Sequence, residues 1–146
     1  MKLMKARNMF LVMALSAVAV VPFTPVGAAE TAMAAPVQTD IAYKIDGTRI
    51  AINPCQGTGQ SNPGSSTQTV VLAGEGTAAG AVAVRAFCGV VQNGRVVGGV
   101  QTALPGSVAV TAGTVPVPLA PYTICADIYA LFVDGGEVYD YNCPAH

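Results

Sequence analysis

Four cysteines, one histidine and a few carboxylates are the residues through which reactive chemistry would have to run in this 146-residue chain. His146 follows Pro144 and Ala145 at the last position. That is a poor place to hold an imidazole against a hydroxyl, so no serine, histidine and acid triad is expected. The cysteines stand at 55, 88, 125 and 143, with no Cys-x-x-Cys pair, and a single histidine cannot complete the clustered ligand set of a structural zinc site. Asp127, Asp134, Glu137 and Asp140 would serve a hydrolase only if two of them converged as acid and base. Asp134 suits a turn, and Glu137 and Asp140 fall on opposite faces of one strand, so a solvated edge is the simpler account. The same group lacks the ligand density of a calcium loop. The glycines of residues 74–80 depart from the dinucleotide spacing and precede a strand, which makes them a turn connection with Glu75 exposed. No catalytic residue, cofactor site or metal site is expected.

An even set of cysteines behind an export signal implies two disulfides. Lys2, Lys5 and Arg7 precede an apolar run at residues 9–21 that is too short to span a bilayer, and Pro22 and Pro25 follow it. Residues 26–28 offer a small-x-small site with cleavage before Ala29, and residues 32–34 offer a second with cleavage before Ala35. The expected organisation is a signal peptide at 1–28, a flexible segment at 29–40 and a single domain at 41–146. The expected location is secreted, with no membrane span in the mature chain.

Loss of residues 1–28 leaves Lys44, Arg49, Arg85 and Arg95 against eight acids, a net charge of −4. Four scattered cations cannot neutralise a row of phosphates, so nucleic acid is not an expected partner.

From residue 29 onward, Val, Ile and Thr number 33 while Leu and Met together number five. β-Branched side chains suit a pleated, half-buried surface, and the composition is that of an all-β protein. Three turn signals mark hairpins. Asp46-Gly47 joins residues 41–45 to 48–52 and sets Tyr43 opposite Ile50, with Ile41, Tyr43, Ile45, Ile50 and Ile52 expected to face inward. Asn93-Gly94 joins residues 81–91 to 95–102. Asp134-Gly135-Gly136 joins residues 122–133 to 137–142. Two further strands at 68–73 and 107–111 bring the total to about eight. This spacing predicts a small, disulfide-stapled antiparallel β-sandwich with an immunoglobulin-like Greek key.

Residues 53–66 carry no apolar side chain besides two prolines and Cys55, and read as a long surface loop. Pro116, Pro118 and Pro121 confine residues 115–121 to an extended stretch that blunts a sheet edge. In an immunoglobulin-like layout Cys55 pairs with Cys143 and Cys88 with Cys125. Folding back the last hairpin competes by joining Cys125 to Cys143, and Cys55 with Cys125 is the third arrangement. The outer bond of the first scheme would close a loop of nearly 100 residues and contribute on the order of 4 kcal/mol.

With few groups suited to catalysis, the expected function is recognition, with an unidentified protein as partner. Its contacts would come from Gln56, Thr58, Gln60 and Asn62 of the polar loop and from Tyr129, Tyr139 and Tyr141 of the final hairpin. Cross-strand packing is the competing account of the tyrosines, and an exposed sheet face the plain account of Arg85. The second expectation is a carrier of a small apolar ligand in a cleft between sheets, and the third a carboxylate hydrolase. In scale, acidity and two expected bridges the mature chain is similar to the secreted chromophore-carrying apoproteins, with which it shares no motif.

Overall fold

Alternation of inward and outward side chains runs through every long strand of the computed structural model, which describes residues 32–34 and 38–146. The expected signal peptide lies outside the described residues. The strands are β1 (Ala32–Ala34), β2 (Gln38–Tyr43), β3 (Ile50–Ser61), β4 (Thr67–Ala78), β5 (Ala81–Gln92), β6 (Arg95–Pro105), β7 (Val108–Pro118), β8 (Thr123–Phe132) and β9 (Glu137–Tyr141). One sheet has the order β1-β3-β4-β7, with β2 also on β3, and the other has the order β6-β5-β8-β9. The chain is an all-β sandwich, stapled by Cys55–Cys88 and Cys125–Cys143.

All three hairpins form at their turn signals. Tyr43 stands opposite Ile50. Asn93 and Gly94 take φ of 52° and 75°, the left-handed pair that a two-residue hairpin turn requires. The chain changes sheets between β4 and β5, between β6 and β7, and between β7 and β8. β7 pairs with β4 alone, so Pro116 and Pro118 do sit on a sheet edge.

The first hairpin has the opposite facing from that expected. Ile41, Tyr43, Ile45 and Ile50 are exposed and Ile52 is half-buried, while Ala42 and Ala51, direct partners on the other face, are buried. The reason is space. Ala42 and Ala51 pack in one cluster with Phe132, Ile128 and Val138 of the facing sheet, whose bulk leaves room only for methyl groups. Asp40 and Asn53 continue the inward row and are also buried.

The loop expected at residues 53–66 is also corrected. Its first nine residues belong to β3, with Cys55, Gly57 and Gly59 inward and Gln56, Thr58 and Gln60 outward. The turn that remains is short: Ser65 N–H donates to Asn62 O at 3.0 Å and Asn62 N–H to Thr67 O at 3.4 Å. Glycine fills the inward positions because a Cβ on Gly57 would collide with Ile124 Cδ1 and lie 3.2 Å from Leu72 Cδ2. Likewise most of residues 74–80 belong to β4 and only Ala79 and Gly80 form the turn, although Glu75 is exposed as expected. A Cβ on Gly74 would stand 2.7 Å from Cys88 Sγ and 2.8 Å from Thr111 Oγ1, so the sheets interlock closely at mid-sandwich.

At one end two buried amides replace apolar packing. Gln68 of β4 and Gln92 of β5 each donate from Nε2 to the carbonyls of Pro118 and Ala120, at 2.8 to 3.2 Å. They hold the proline-rich crossover to both sheets at once. At the other end Arg49 pairs with both oxygens of Asp134 and lies 4.5 Å above the Phe132 ring, latching the β2–β3 hairpin to the β8–β9 turn.

Candidate functional site

The outward positions of β5, β8 and β9 gather most of the aromatic side chains of the domain. Register fixes the rows: Gln101, Phe87, Asp127 and Tyr141 lie side by side, and next to them Ala103, Arg85, Tyr129 and Tyr139. The β8–β9 turn sets this register, with Asp134 Oδ1 accepting the Gly136 N–H at 2.8 Å and Phe132 N–H donating to Gly136 O at 2.9 Å.

Tyr139 and Tyr141, two residues apart on β9, stack with ring centroids 5.3 Å apart and remain 59% and 53% exposed. The Arg85 guanidinium lies 4.8 Å over the Tyr129 ring and donates to the Tyr141 hydroxyl at 3.4 Å. The Tyr129 hydroxyl donates to Glu137, which raises the phenol pKa because that bond favours the protonated form. Cross-strand packing and solvent exposure therefore coexist in these tyrosines. Arg85 is exposed and held over a ring.

Phe87 lies flat because the sheet beneath it is bare. A Cβ on Gly89 would stand 2.7 Å from its ring and one on Gly99 2.5 Å. His146 stacks on Phe87 at 4.4 Å, with its Nε2 3.4 Å from Asp127 Oδ2, while Asp127 Oδ1 accepts the Cys143 N–H at 2.8 Å. The segment after β9 is thus folded over the sheet and fastened by Cys125–Cys143. A groove of about 450 Å³ runs between it and the Arg85–Tyr129 ridge, bordered by Phe87, Gln101, Asp127 and Tyr141. Beyond the ridge lies a second, apolar concavity of about 310 Å³ against Ala83, Ala103, Leu104 and Pro105.

The expected contact set divides into two. Tyr129, Tyr139 and Tyr141 come together on the outer face of β6-β5-β8-β9. Gln56, Thr58 and Gln60 lie on the outer face of the other sheet, on the far side of the sandwich, and Asn62 closes the turn after β3 through its amide on Thr67. Of the four carboxylates weighed for hydrolysis, Asp134 holds Arg49 and Glu137 holds Tyr129, while Asp127, which holds Cys143 and His146, and Asp140, inward on β9, both act electrostatically on Asp40. Asp40 was missed because it lay in the expected flexible segment. The signal was its place one residue before an alternating run, which puts it on the face of Ala42.

The favoured disulfide scheme is overturned. Cys125 stands opposite Gly89, one residue out of register with Cys88, so the two sulfurs lie on opposite faces of the sheet. Cys88 instead meets Cys55 across the core, with Cα atoms 5.8 Å apart, and Cys125 meets Cys143 on the outer face at 5.0 Å. Comparison with family models, characterised proteins and solved structures finds no match for this chain. Its chemistry has to be read from its own surface.

Proposed function

We propose that this chain is an exported, non-catalytic binding module that recognises a protein through the outer face of β6-β5-β8-β9, with Tyr129, Tyr139, Tyr141 and Arg85 as anchors. The observation that carries the reading is the stacked, half-exposed Tyr139–Tyr141 pair beside an arginine held over Tyr129. Tyrosine and arginine are the residues that concentrate binding energy in interfaces, and side chains already fixed on strands lose little entropy on contact. Two disulfides are compatible with an oxidising compartment. Export rests on the basic and apolar residues at the start of the sequence. An immunoglobulin-like reading of the sandwich draws support from the Cys55–Cys88 bond, which joins sheet to sheet through strands flanked on both sides.

A second reading, carriage of a small apolar molecule, is favoured by the concavity lined by Ala83, Ala103, Leu104 and Pro105. It would use an outer groove, since glycines let the two sheets interlock. One experiment separates the two. A photo-crosslinking residue is placed at Tyr139 and, as a control, at Thr58, and the protein is exposed to its producer's culture fluid. A single protein captured at 139, absent at 58 and lost on Arg85→Ala supports the proposal. Equal capture at both positions, or none at either, would remove it, and a small adduct in the native mass spectrum would move the reading to a carrier.

A further inference from the structure

We infer that Phe87 and Asp127 form a docking site for a planar cationic side chain, an arginine of the protein partner, and that His146 fills this site in the free chain. The inference rests on the reading of this face as a protein-recognition surface and names the chemistry that one part of it accepts.

Phe87 is a fixed platform. Its ring lies flat over Gly89 and Gly99, where added Cβ atoms would stand 2.7 and 2.5 Å from it, so its other face is turned away from the sheet. Gln101 and Asp127 are its direct partners on the strands to either side. The Asp127 carboxylate has divided duties: Oδ1 accepts the Cys143 N–H at 2.8 Å, which leaves Oδ2 for the rim of the platform. An aromatic face with a carboxylate oxygen at its rim selects a flat, positively charged group that stacks and donates an N–H sideways.

His146 shows the site in use. Its ring stacks on Phe87 at 4.4 Å and 17°, and its Nε2 lies 3.4 Å from Asp127 Oδ2. A carboxylate only accepts, so in this contact the nitrogen donates. The contact is long and the His146 side chain is 35% exposed, which makes it a weak one. Only Pro144 and Ala145 separate His146 from Cys143, which is anchored to Cys125, so the imidazole is kept at hand by its tether rather than by its affinity. A guanidinium is the better occupant, because it is always charged, stacks flat on aromatic rings and carries five donors in one plane. Lysine offers a compact, strongly hydrated charge that cannot stack in this way. The groove of about 450 Å³ beside the stack gives an arginine side chain its way in. Arg85, the cation of the opposite wall, is turned onto the Tyr129 ring and the Tyr141 hydroxyl.

The test titrates acetyl-arginine amide and, at equal charge, acetyl-lysine amide into the protein to about 50 mM, a range that reaches the affinity of a single side chain, with the NMR signals of the Phe87 and His146 rings as readout. The arginine probe should shift both rings in the parent and bind His146→Ala roughly threefold more tightly or better, since the tethered competitor is gone. It should also bind roughly threefold more tightly than the lysine probe. Adding either Asp127→Asn or Phe87→Leu to His146→Ala should abolish the gain, and melting temperatures show that each variant is folded. Equal binding of the two probes overturns the inference, as does an affinity that His146→Ala leaves unchanged. The probe needs no partner, so capture at Tyr139 without arginine binding would remove this inference and leave the protein-recognition reading standing.

Discussion

Cys88 and Cys125 occupy neighbouring strands and yet face away from each other, because Cys125 is in register with Gly89. One sulfur is left to cross the core and the other to fasten the segment after β9. The two bonds close spans of 33 and 18 residues, which the chain-entropy model converts to about 4 and about 3 kcal/mol. Unreduced peptide mapping should therefore yield 55–88 and 125–143 linkages only. Removal of the first bond by Cys55→Ala with Cys88→Ala should destabilise more than removal of the second, because it also opens space between the sheets. A larger loss from the 125–143 pair, read by chemical denaturation, would show that the core bond is dispensable.

Gly57 should be the least replaceable residue of β3. Its Cβ position is already taken by Ile124 Cδ1, with Leu72 behind, so Gly57→Ala should cost about 1–3 kcal/mol through overpacking. Gln56→Ala, one residue away and outward, should stay within about 0.5 kcal/mol. Equal denaturation midpoints for the two variants would contradict the alternation assigned to this strand.

The same glycine explains what the chain could disclose before folding. Turns were legible because Asp-Gly and Asn-Gly act through local backbone freedom, and the strands they join followed. Facing was legible only where bulky residues mark the inside. In the first hairpin the inside is marked by Ala42 and Ala51 and in β3 by Gly57 and Gly59, so a search for large apolar residues took outside for inside and strand for loop. What decides those positions is the bulk of Phe132, Ile128 and Ile124 on the opposite sheet, a long-range fact. The tyrosines of the last hairpin can be named from the sequence, but the register that places Arg85 over Tyr129 and Phe87 over two glycines depends on three strands at once.

Asp134 and Cys55 give a contrast in burial. The Arg49 guanidinium beside Asp134 holds its carboxyl well below the usual carboxylate range, yet the Asp134 side chain is 53% exposed. Solvent screening makes such pairs weak. Asp134→Asn also keeps the side-chain oxygen that accepts the Gly136 N–H. Its melting temperature should fall less than that of Cys55→Ser, which breaks a bond 1% exposed in the core. Matching melting temperatures would mean that the hairpin latch carries as much as the inter-sheet bond.

Asp40 sets the expected response to pH. It is 5% exposed, and burial, reinforced by the negative charges of Asp140 on β9 and Asp127 on β8, pushes its carboxyl up to about 6. Its register partner Asn53 is fully buried, and Asp40 Oδ2 and Asn53 Oδ1 both lack a donor. Because the folded pKa exceeds the unfolded value of 3.8, the folded state binds the extra proton between those limits. The contribution is thus whole below about pH 4, declines as pH rises toward 6 and is gone above it. A shift of about two pKa units corresponds to about 3 kcal/mol as an upper value. Asp40→Asn cannot ionise. The variant should therefore be more stable than the parent at pH 7.5, and the gap should narrow toward pH 4. Urea denaturation at pH 4, 5, 6 and 7.5 measures it, and a gap that is constant with pH would show that the Asp40 carboxyl does not titrate in this range.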